Sequence, residues 1–243
     1  MEINTKKTKV MVAAKQKIDV TIACNGVALE QVDTFRYLGA LITETGDGSK
    51  EVVTRLGMAR TTIKSITCFW EDRSLTSQIK RRLMETLIWP VATYACETWT
   101  QKAADQKRIT AFEMCAYRRL LRISWKDHRT NQSILDELQP NRRLFDEVKR
   151  QKLQYSGHIA RAQGLPTSVL HGYNDGSRSR GRPRRGRTDD IKDWTRMSVP
   201  ACCSQAQDRR AWRSLVSSCL VSDPQSRGWT KRERQSCKFT ITY

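Results

Sequence analysis

The sequence predicts an α+β fold that is mainly helical, in which a short N-terminal antiparallel β-hairpin region precedes a set of helices. Three observations predict this fold. Apolar and polar residues alternate at Ile18, Val20 and Ile22, and a further apolar run ends at Thr43, which is typical of strands. The Gly-rich segment "TGDGS" follows, and from Lys50 the apolar residues recur with the period of a helix.

The N-terminal strands are predicted from three stretches. "KTKVMV" is short and extended. "KIDVTIACNGVALEQV" alternates apolar and polar residues over Ile18–Ile22 and then breaks at Asn25 and Gly26, which is a strong hairpin signal. "FRYLGALIT" is a further apolar run, and it completes the small β region.

Three amphipathic helices are predicted next. The first places Arg55 and Lys64 off its apolar face, which contains Val52, Leu56, Ala59, Ile63 and Ile66. The second begins near "SLTSQ", and Pro90 should end or kink it. Its apolar residues are Ile79, Leu83 and Leu87. The apolar residues of the third are Ile109, Phe112, Ala116, Leu120 and Ile123.

The rest of the chain is predicted to be helical on both sides of a linker. Shorter helical patterns run over Asn131–Leu138 and from Arg142 to about Arg161, and two more helices are expected over 189–197 and 204–220. The predicted division of the chain is a β region 1–45, a helical region 46–130, a basic helical region 131–171, an Arg/Gly/Ser linker 172–187, terminal helices 188–221 and a loose tail 222–243.

The net charge of +19 is the strongest compositional feature of the 243 residues. Residues 1–45 carry six Lys/Arg against five Asp/Glu, so +18 of the excess lies in the rest of the chain. A cationic field of this size attracts polyanions, which favours RNA, DNA or an RNA–DNA hybrid as partner over an anionic membrane surface. The hydrophobic share of 38% and the charged share of 28% are typical of a folded polar protein and exclude wholesale disorder.

The longest nearly apolar stretch, "LIWPVATYAC", is shorter than the roughly 20 residues that span a membrane, and no signal peptide is recognisable. We therefore expect an intracellular protein, nuclear or cytoplasmic, whose eight cysteines are reduced thiols. The chain contains no C-x-x-C pair, and Cys202 and Cys203 are adjacent, so no metal site is predicted. No small-molecule substrate is expected either.

The stretch "SRSRGRPRRGRTDD" contains six arginines, spaced by Ser, Gly and Pro. They are Arg178, Arg180, Arg182, Arg184, Arg185 and Arg187. One interpretation is a hook for the minor groove of A·T-rich DNA, centred on "RGRPR". The other is a flexible cationic connector that follows a phosphate backbone without reading bases.

Six blocks of the sequence carry a family resemblance. In this order, "INTKKTKVMV", "FRYLGALIT", "LIWPVATYACETWT", "RRLLRISWKDHRTNQSIL", "YSGHIARAQGLP" and "GSRSRGRPRRGRTDDIKDW" resemble the C-terminal third of the reverse transcriptase of non-LTR (LINE-type) retrotransposons. The resemblance covers roughly residues 1–221. It implies that 1–45 contain the end of the palm and the primer-grip hairpin, that thumb helices follow, and that the basic helical region engages template or target.

The resemblance also implies which chemistry to expect. The complete enzyme of this family is an RNA-directed DNA polymerase whose Mg²⁺ ions are held by an Ala-Asp-Asp motif and an upstream Asp. This sequence contains neither, nor the family's endonuclease domain, so the chain as it stands is expected not to be an enzyme and to hold no cofactor. Its adjacent Asp189 and Asp190 are interpreted as a helix N-terminal feature instead of a metal site.

The resemblance implies nucleic-acid contacts near Lys7 and Lys9, and near a turn formed by Tyr37 and Gly39. Lys7 lies where a lysine can approach an incoming triphosphate, but without a metal site a solvated strand-edge lysine is the favoured interpretation. In the turn, Gly lets a sugar-phosphate approach closely, and Tyr either stacks on a base or packs into the hairpin.

Two helical clusters suit phosphate contacts, although a solvated helix face is the alternative for both. They are Lys80, Arg81 and Arg82, and Arg118, Arg119 and Arg122. Trp99 and Trp125 are predicted to be core residues, and His158 a hydrogen-bonded structural residue.

The expected function is that of a truncated reverse transcriptase that binds RNA, DNA or their hybrid without polymerising. Three alternatives stay open. They are a chromatin-type A·T-binding module, an active polymerase whose catalytic part another chain supplies, and a transposon fragment without a selected function.

Overall fold

The computed structural model of the chain describes residues 3–12, 18–162, 165–171 and 185–221. Helices dominate these residues, and the strands are two to four residues long, so the predicted mainly helical α+β fold is confirmed. The strands are β1 (Lys9–Val10), β2 (Ala23–Cys24), β3 (Val27–Ala28), β4 (Glu30–Gln31), β5 (Thr34–Tyr37) and β6 (Ala40–Thr43).

The strands form two hairpins and one parallel pair. β2 and β3 join through Asn25 and Gly26, whose φ angles of 53° and 76° are those of a two-residue hairpin turn, so this prediction is confirmed. β5 and β6 join in the same way through Leu38 and Gly39, with φ angles of 49° and 83°. β1 pairs in parallel with β4, an arrangement that the sequence did not indicate.

The helices are α1 (Ser49–Ser65), α2 (Thr67–Glu71), α3 (Ser77–Leu83), α4 (Trp89–Ala92), α5 (Ala103–Leu120), α6 (Asn131–Leu138), α7 (Leu144–Arg161), α8 (Leu165–His171), α9 (Arg187–Thr195), α10 (Val199–Gln207) and α11 (Arg209–Val221). A π-helical segment, Met84–Ile88, links α3 to α4, and short 3₁₀ turns occupy Cys96–Thr98 and Trp125–Asp127. The predicted bounds of α6 are confirmed.

The predicted apolar face of α1 is confirmed, since Val52, Leu56, Ala59 and Ile63 are buried. Arg55 was expected to lie off this face, and that expectation is wrong. Its guanidinium is buried because it forms an ion pair of 2.6 Å with Glu51 one turn earlier, which is also buried.

This ion pair attaches the β5–β6 hairpin to α1. The backbone N–H of Leu41 donates to Glu51 (2.9 Å), and Arg55 donates to the carbonyl of Gly39. Tyr94, just after α4, donates its hydroxyl to the carbonyl of Leu38 (2.6 Å) and lies 4.2 Å from the Arg55 guanidinium. The hairpin turn is therefore held from two sides although its sheet has only two strands.

The second predicted helix is present, but its buried face was predicted wrongly. Ile79 and Leu87 are each 47% exposed, whereas Lys80, Met84 and Ile88 are buried. The buried lysine is stabilised because its ammonium donates to the backbone carbonyl of Trp70 (2.8 Å). Pro90 lies in the first turn of α4, after the π-helical segment Met84–Ile88.

The described part of the chain has two hydrophobic cores. The first is built from α1 to α6 and the start of α7, and it includes Trp70, Trp99 and Tyr117. The second is built from the later part of α7 with α9, α10 and α11, and it includes Leu153 and Trp212. α7 therefore contributes to both cores along its 18 residues.

The helix predicted over 204–220 is two helices in the structure. α10 begins earlier, because the Ser198 hydroxyl accepts from the N–H of Ala201 (3.4 Å) and Pro200 occupies the first turn. Asp208 separates α10 from α11, since its carboxylate accepts from the first N–H groups of α11.

The entry into α1 carries a pH-dependent contact. Asp47 accepts from the Lys102 ammonium (2.6 Å) and from the N–H of Ser49 (3.0 Å). The hydrogen bond from Lys102 lowers the pKa of Asp47 from 3.8 to about 2, against the opposing effect of burial. The ionised form is therefore favoured in the folded state, and its contribution is complete above the unfolded pKa.

We expect Asp47→Asn to lower the free energy of unfolding at pH 7 by less than about 1 kcal/mol, because the pair is largely exposed. The difference from the wild type should shrink as the pH falls from about 4 towards about 2, where the native carboxylate is protonated. Urea unfolding at stepped pH measures it. A difference that stays constant down to pH 2 would contradict this assignment.

Candidate nucleic-acid interface

The cluster predicted on α3 is largely used inside the protein. Lys80 is buried, and Arg81 donates to the carbonyls of Leu138 (2.8 Å) and Gln139 at the end of α6. These carbonyls have no partner within their own helix, so a guanidinium satisfies them. Arg82 is exposed.

The N-terminal candidates lie on the β region. Lys7 is exposed, and Lys9 forms an ion pair of 3.0 Å with Glu30 across the β1–β4 pair. Tyr37 is 58% exposed at the end of β5, and Gly39 follows in the turn. The hairpin predicted around these two residues is confirmed, and its contact with nucleic acid stays a prediction.

The end of the arginine run is bound to the protein. Arg185 pairs with Asp190 (2.8 Å) and Asp193 (2.7 Å). Arg187 begins α9, donates to the carbonyl of Glu97 (2.7 Å) and lies 5.0 Å from the ring of Tyr155. The other four arginines, Arg178, Arg180, Arg182 and Arg184, lie outside the described residues.

The predicted role of Asp189 at a helix start is confirmed, because its carboxylate accepts from the N–H of Gly186 (2.7 Å). Asp190 has a different role, which the sequence did not indicate. It is fully buried, pairs with the fully buried Lys152, and accepts from the N–H of Gln101 (2.9 Å). Burial lowers the pKa of Lys152, and the neighbouring carboxylate opposes that shift.

The cluster at the end of α5 lines a surface recess, which we call the arginine recess. Its lining residues are Arg118, Arg119, Arg122, Ile123, Thr67, Trp70 and Glu71, and its volume is about 410 Å³. Arg119 donates to the Thr67 hydroxyl (3.1 Å), and Arg122 donates to the backbone carbonyl of Glu71 (3.3 Å). The three arginines predicted as a cluster therefore converge on one concavity between α2 and the end of α5.

Charge is segregated along α1 and α5, which pack side by side. Their three acidic residues, Glu51, Asp105 and Glu113, are all buried, with exposed fractions of 3%, 0% and 0%. Asp105 accepts from the Ser49 hydroxyl (2.8 Å) and pairs with Arg108. Burial raises the pKa of Glu113, although Arg143 opposes that shift.

The exposed charges of the same two helices are all positive. They are Lys50, Arg60, Lys64, Lys107, Arg108 and Arg119, and we call this surface the α1–α5 seam. Lys50 and Arg108 line one shallow surface pocket, and the guanidinium of Arg60, on α1, lies 5.9 Å from the ring of Phe112 on α5. The arginine recess adjoins the end of this seam, since Thr67 follows α1 and Arg119 belongs to both.

Other sequence predictions have mixed outcomes. Trp99 is buried, as predicted for a core residue, and the side chain of Trp125 lies outside the described residues. His158 was expected to be a hydrogen-bonded structural residue, but it is exposed on α7.

Within the described ranges, no group of three His, Cys, Asp or Glu side chains is placed to hold a metal ion. None of the described helices is long and apolar enough to cross a membrane.

Comparison with known proteins gives one relative. The chain is 25% identical over 238 residues to a Caenorhabditis elegans protein described as transposon-derived, and the match covers 89% of this chain and 82% of the relative. This likeness supports a transposon-derived origin. No family model matches the chain. No solved structure matches it either.

Proposed function

We propose that the chain is a nucleic-acid-binding part of a non-LTR retrotransposon reverse transcriptase, and that it grips phosphate backbones through the α1–α5 seam. The observation that carries this proposal is the segregation of charge on the two helices. Every acidic side chain of α1 and α5 is buried, and of the exposed lysines and arginines Arg108 pairs with one of them, Asp105, so the surface that the two helices present to a polyanion is cationic.

The geometry favours contacts that position a nucleic acid through its phosphates over contacts that read its bases. Lysine and arginine side chains on a helix surface reach phosphate oxygens, which are the same in every sequence. The seam holds these charges on two packed helices, so their spacing is fixed before binding. A duplex, a single strand or an RNA–DNA hybrid can therefore bind, with little dependence on base sequence.

Two observations support the family assignment within this proposal. The transposon-derived relative matches most of both chains. The six sequence blocks that resemble the C-terminal third of the reverse transcriptase occur in the family's order. The 243 residues contain no Ala-Asp-Asp motif, so we propose that they bind nucleic acid and that polymerisation needs carboxylates supplied elsewhere.

Salt dependence tests this function. We expect the logarithm of the binding constant for a labelled duplex, measured by fluorescence anisotropy, to fall linearly with the logarithm of salt concentration. Replacing Lys50, Arg60 and Lys64 together with Gln should reduce that slope by about 2 to 3, because each lost phosphate contact removes about one unit.

The matched control replaces Arg209, Arg210 and Arg213, which are exposed on α11, with Gln and removes the same charge. This control should leave most of the slope intact. Equal effects of the two triple variants would refute a specific role for the seam. Binding that ignores salt, or that strongly prefers A·T over G·C duplexes, would refute backbone recognition.

A further inference from the structure

We propose that the arginine recess binds a phosphate monoester, the group found at the end of a phosphorylated strand and on a nucleoside monophosphate. The assignment of the strand end as its source rests on the proposed nucleic-acid function. The recess itself is argued from its donors, its charge balance and the backbone of Arg122.

The recess offers more hydrogen-bond donors than the protein uses. A guanidinium has five N–H groups. Arg119 uses one of its nitrogens for Thr67, and Arg122 uses one for the carbonyl of Glu71. Arg118 is fixed because it donates to the side-chain carbonyl of Asn131 (2.6 Å) and, at 3.4 Å each, to the backbone carbonyls of Met114 and Arg129. The remaining N–H groups are held on anchored side chains, so little side-chain freedom is lost on binding an anion.

The positive charge of the recess is not compensated by a bound carboxylate. Within the described residues, no carboxylate oxygen comes within 4.0 Å of Arg118, Arg119 or Arg122. Other arginines of the same structure, such as Arg55 and Arg143, do have such partners. Glu71 is the one acidic residue among the lining residues, against three arginines, so the balance of charge favours an anion.

The backbone of Arg122 gives an independent indication. The N–H of Ile123 donates to the carbonyl of Arg118 (2.9 Å) and that of Arg122 donates to Arg119 (3.1 Å), which is the Schellman motif that ends a helix. Arg122 takes the left-handed position of this motif with φ 58°, where glycine is preferred. An arginine is kept at this position although glycine would adopt the conformation at lower cost, and Arg122 is one of the three arginines that line the recess.

The shape and the donor number favour a monoester over a backbone diester. A monoester carries a charge of about −1.5 to −2 and three terminal oxygens, whereas a diester carries one charge and two such oxygens. Three guanidiniums around one concavity match the larger number. Trp70 and Ile123 line the same recess.

The test compares short single strands that differ only at their ends. We expect a strand with a 5′-phosphate to bind about tenfold more tightly than the same strand with a 5′-hydroxyl, at fixed salt. A strand with a 3′-phosphate and a free nucleoside 5′-monophosphate, measured by calorimetry, show whether the position of the monoester matters. A monoester advantage at either end supports the proposal.

Two variants each replace an arginine in the left-handed conformation with glycine. Arg122→Gly should abolish the advantage of the phosphorylated strand while leaving the thermal midpoint unchanged or raised, since glycine suits the left-handed conformation. Arg196→Gly is the control, because Arg196 is exposed, has the same φ of 58° and lies outside the recess. Glu71→Gln should strengthen binding, because it removes the negative charge of the one acidic lining residue.

The outcomes separate this proposal from the function on which it rests. Phosphorylated and unphosphorylated strands that bind equally well would overturn the monoester site and leave backbone binding intact. A monophosphate that binds the wild type but not Arg122→Gly, in a protein that binds no polynucleotide, would keep the site and overturn the function. Equal losses from Arg122→Gly and Arg196→Gly would overturn the assignment to the recess.

Discussion

Asp190→Ala is expected to lower the free energy of unfolding by about 3–5 kcal/mol, because it leaves the buried ammonium of Lys152 without its counter-charge. Both side chains of this pair are 0% exposed. The change also removes the acceptor for the N–H of Gln101 and one partner of Arg185. Urea unfolding followed by tryptophan fluorescence measures the loss.

The double variant Lys152→Met/Asp190→Leu is the informative comparison. A buried ion pair replaced by apolar residues of similar volume is often neutral in stability, so the double variant should be much more stable than Asp190→Ala. Asp193→Ala serves as a surface control, since its carboxylate also pairs with Arg185 but is 54% exposed. An Asp190→Ala protein as stable as this control would contradict the buried-charge account.

Gly157→Ala is expected to destabilise the protein by about 3 kcal/mol, the upper part of the range for overpacking. A Cβ atom at this position of α7 would lie 2.2 Å from Nε1 of Trp212 and 2.5 Å from its Cδ1. The indole cannot simply move away, because Nε1 donates to the carbonyl of Leu153 (3.1 Å) and the ring is buried. We expect faster amide exchange in α11, where Trp212 lies.

Gly57→Ala is the matched control, since Gly57 is also helical and a Cβ there would meet nothing within 4 Å. Alanine should stabilise α1 by about 0.4–1 kcal/mol, because it reduces the freedom of the unfolded chain. If Gly157→Ala proved as stable as Gly57→Ala, the close packing of α7 against Trp212 would be wrong.

The helices that the sequence predicted well are those whose apolar residues do the packing. α1 and α5 bury their expected faces, because a 3.6-residue period determines which side can leave water. The buried face of α3 was predicted wrongly for the opposite reason. On α3 the buried position is that of Lys80, whose ammonium donates to the backbone carbonyl of Trp70 (2.8 Å). The apolar pattern of α3 gives no information about that carbonyl.

The same limit applies to Lys152. Long cationic side chains are expected at the surface, and they enter a core only where a partner from elsewhere in the chain satisfies them. The partner of Lys152 is Asp190, 38 residues away. A sequence signal existed, since Lys152 lies one turn from both Val148 and Ser156 on the buried face of α7, but it does not identify the partner.

The candidate site was predictable in part. The arginines at the end of α5 stand together in the sequence, and their spacing places them near one another. The recess required α2 to bring Thr67 and Glu71 opposite them, which is a long-range contact. Arg122 ends its helix in a conformation preferred by glycine, so sequence preference argued against that geometry.

Because α7 contributes to two cores, a fragment of this protein must exceed a minimum length if it is to be studied alone. A version shortened before α9 would expose Leu153 on α7 and would deprive Lys152 of Asp190. Such a fragment should aggregate or be degraded rather than report on the helices that it keeps. Biochemical dissection of this protein should therefore retain the chain through α11, even where only the seam or the recess is of interest.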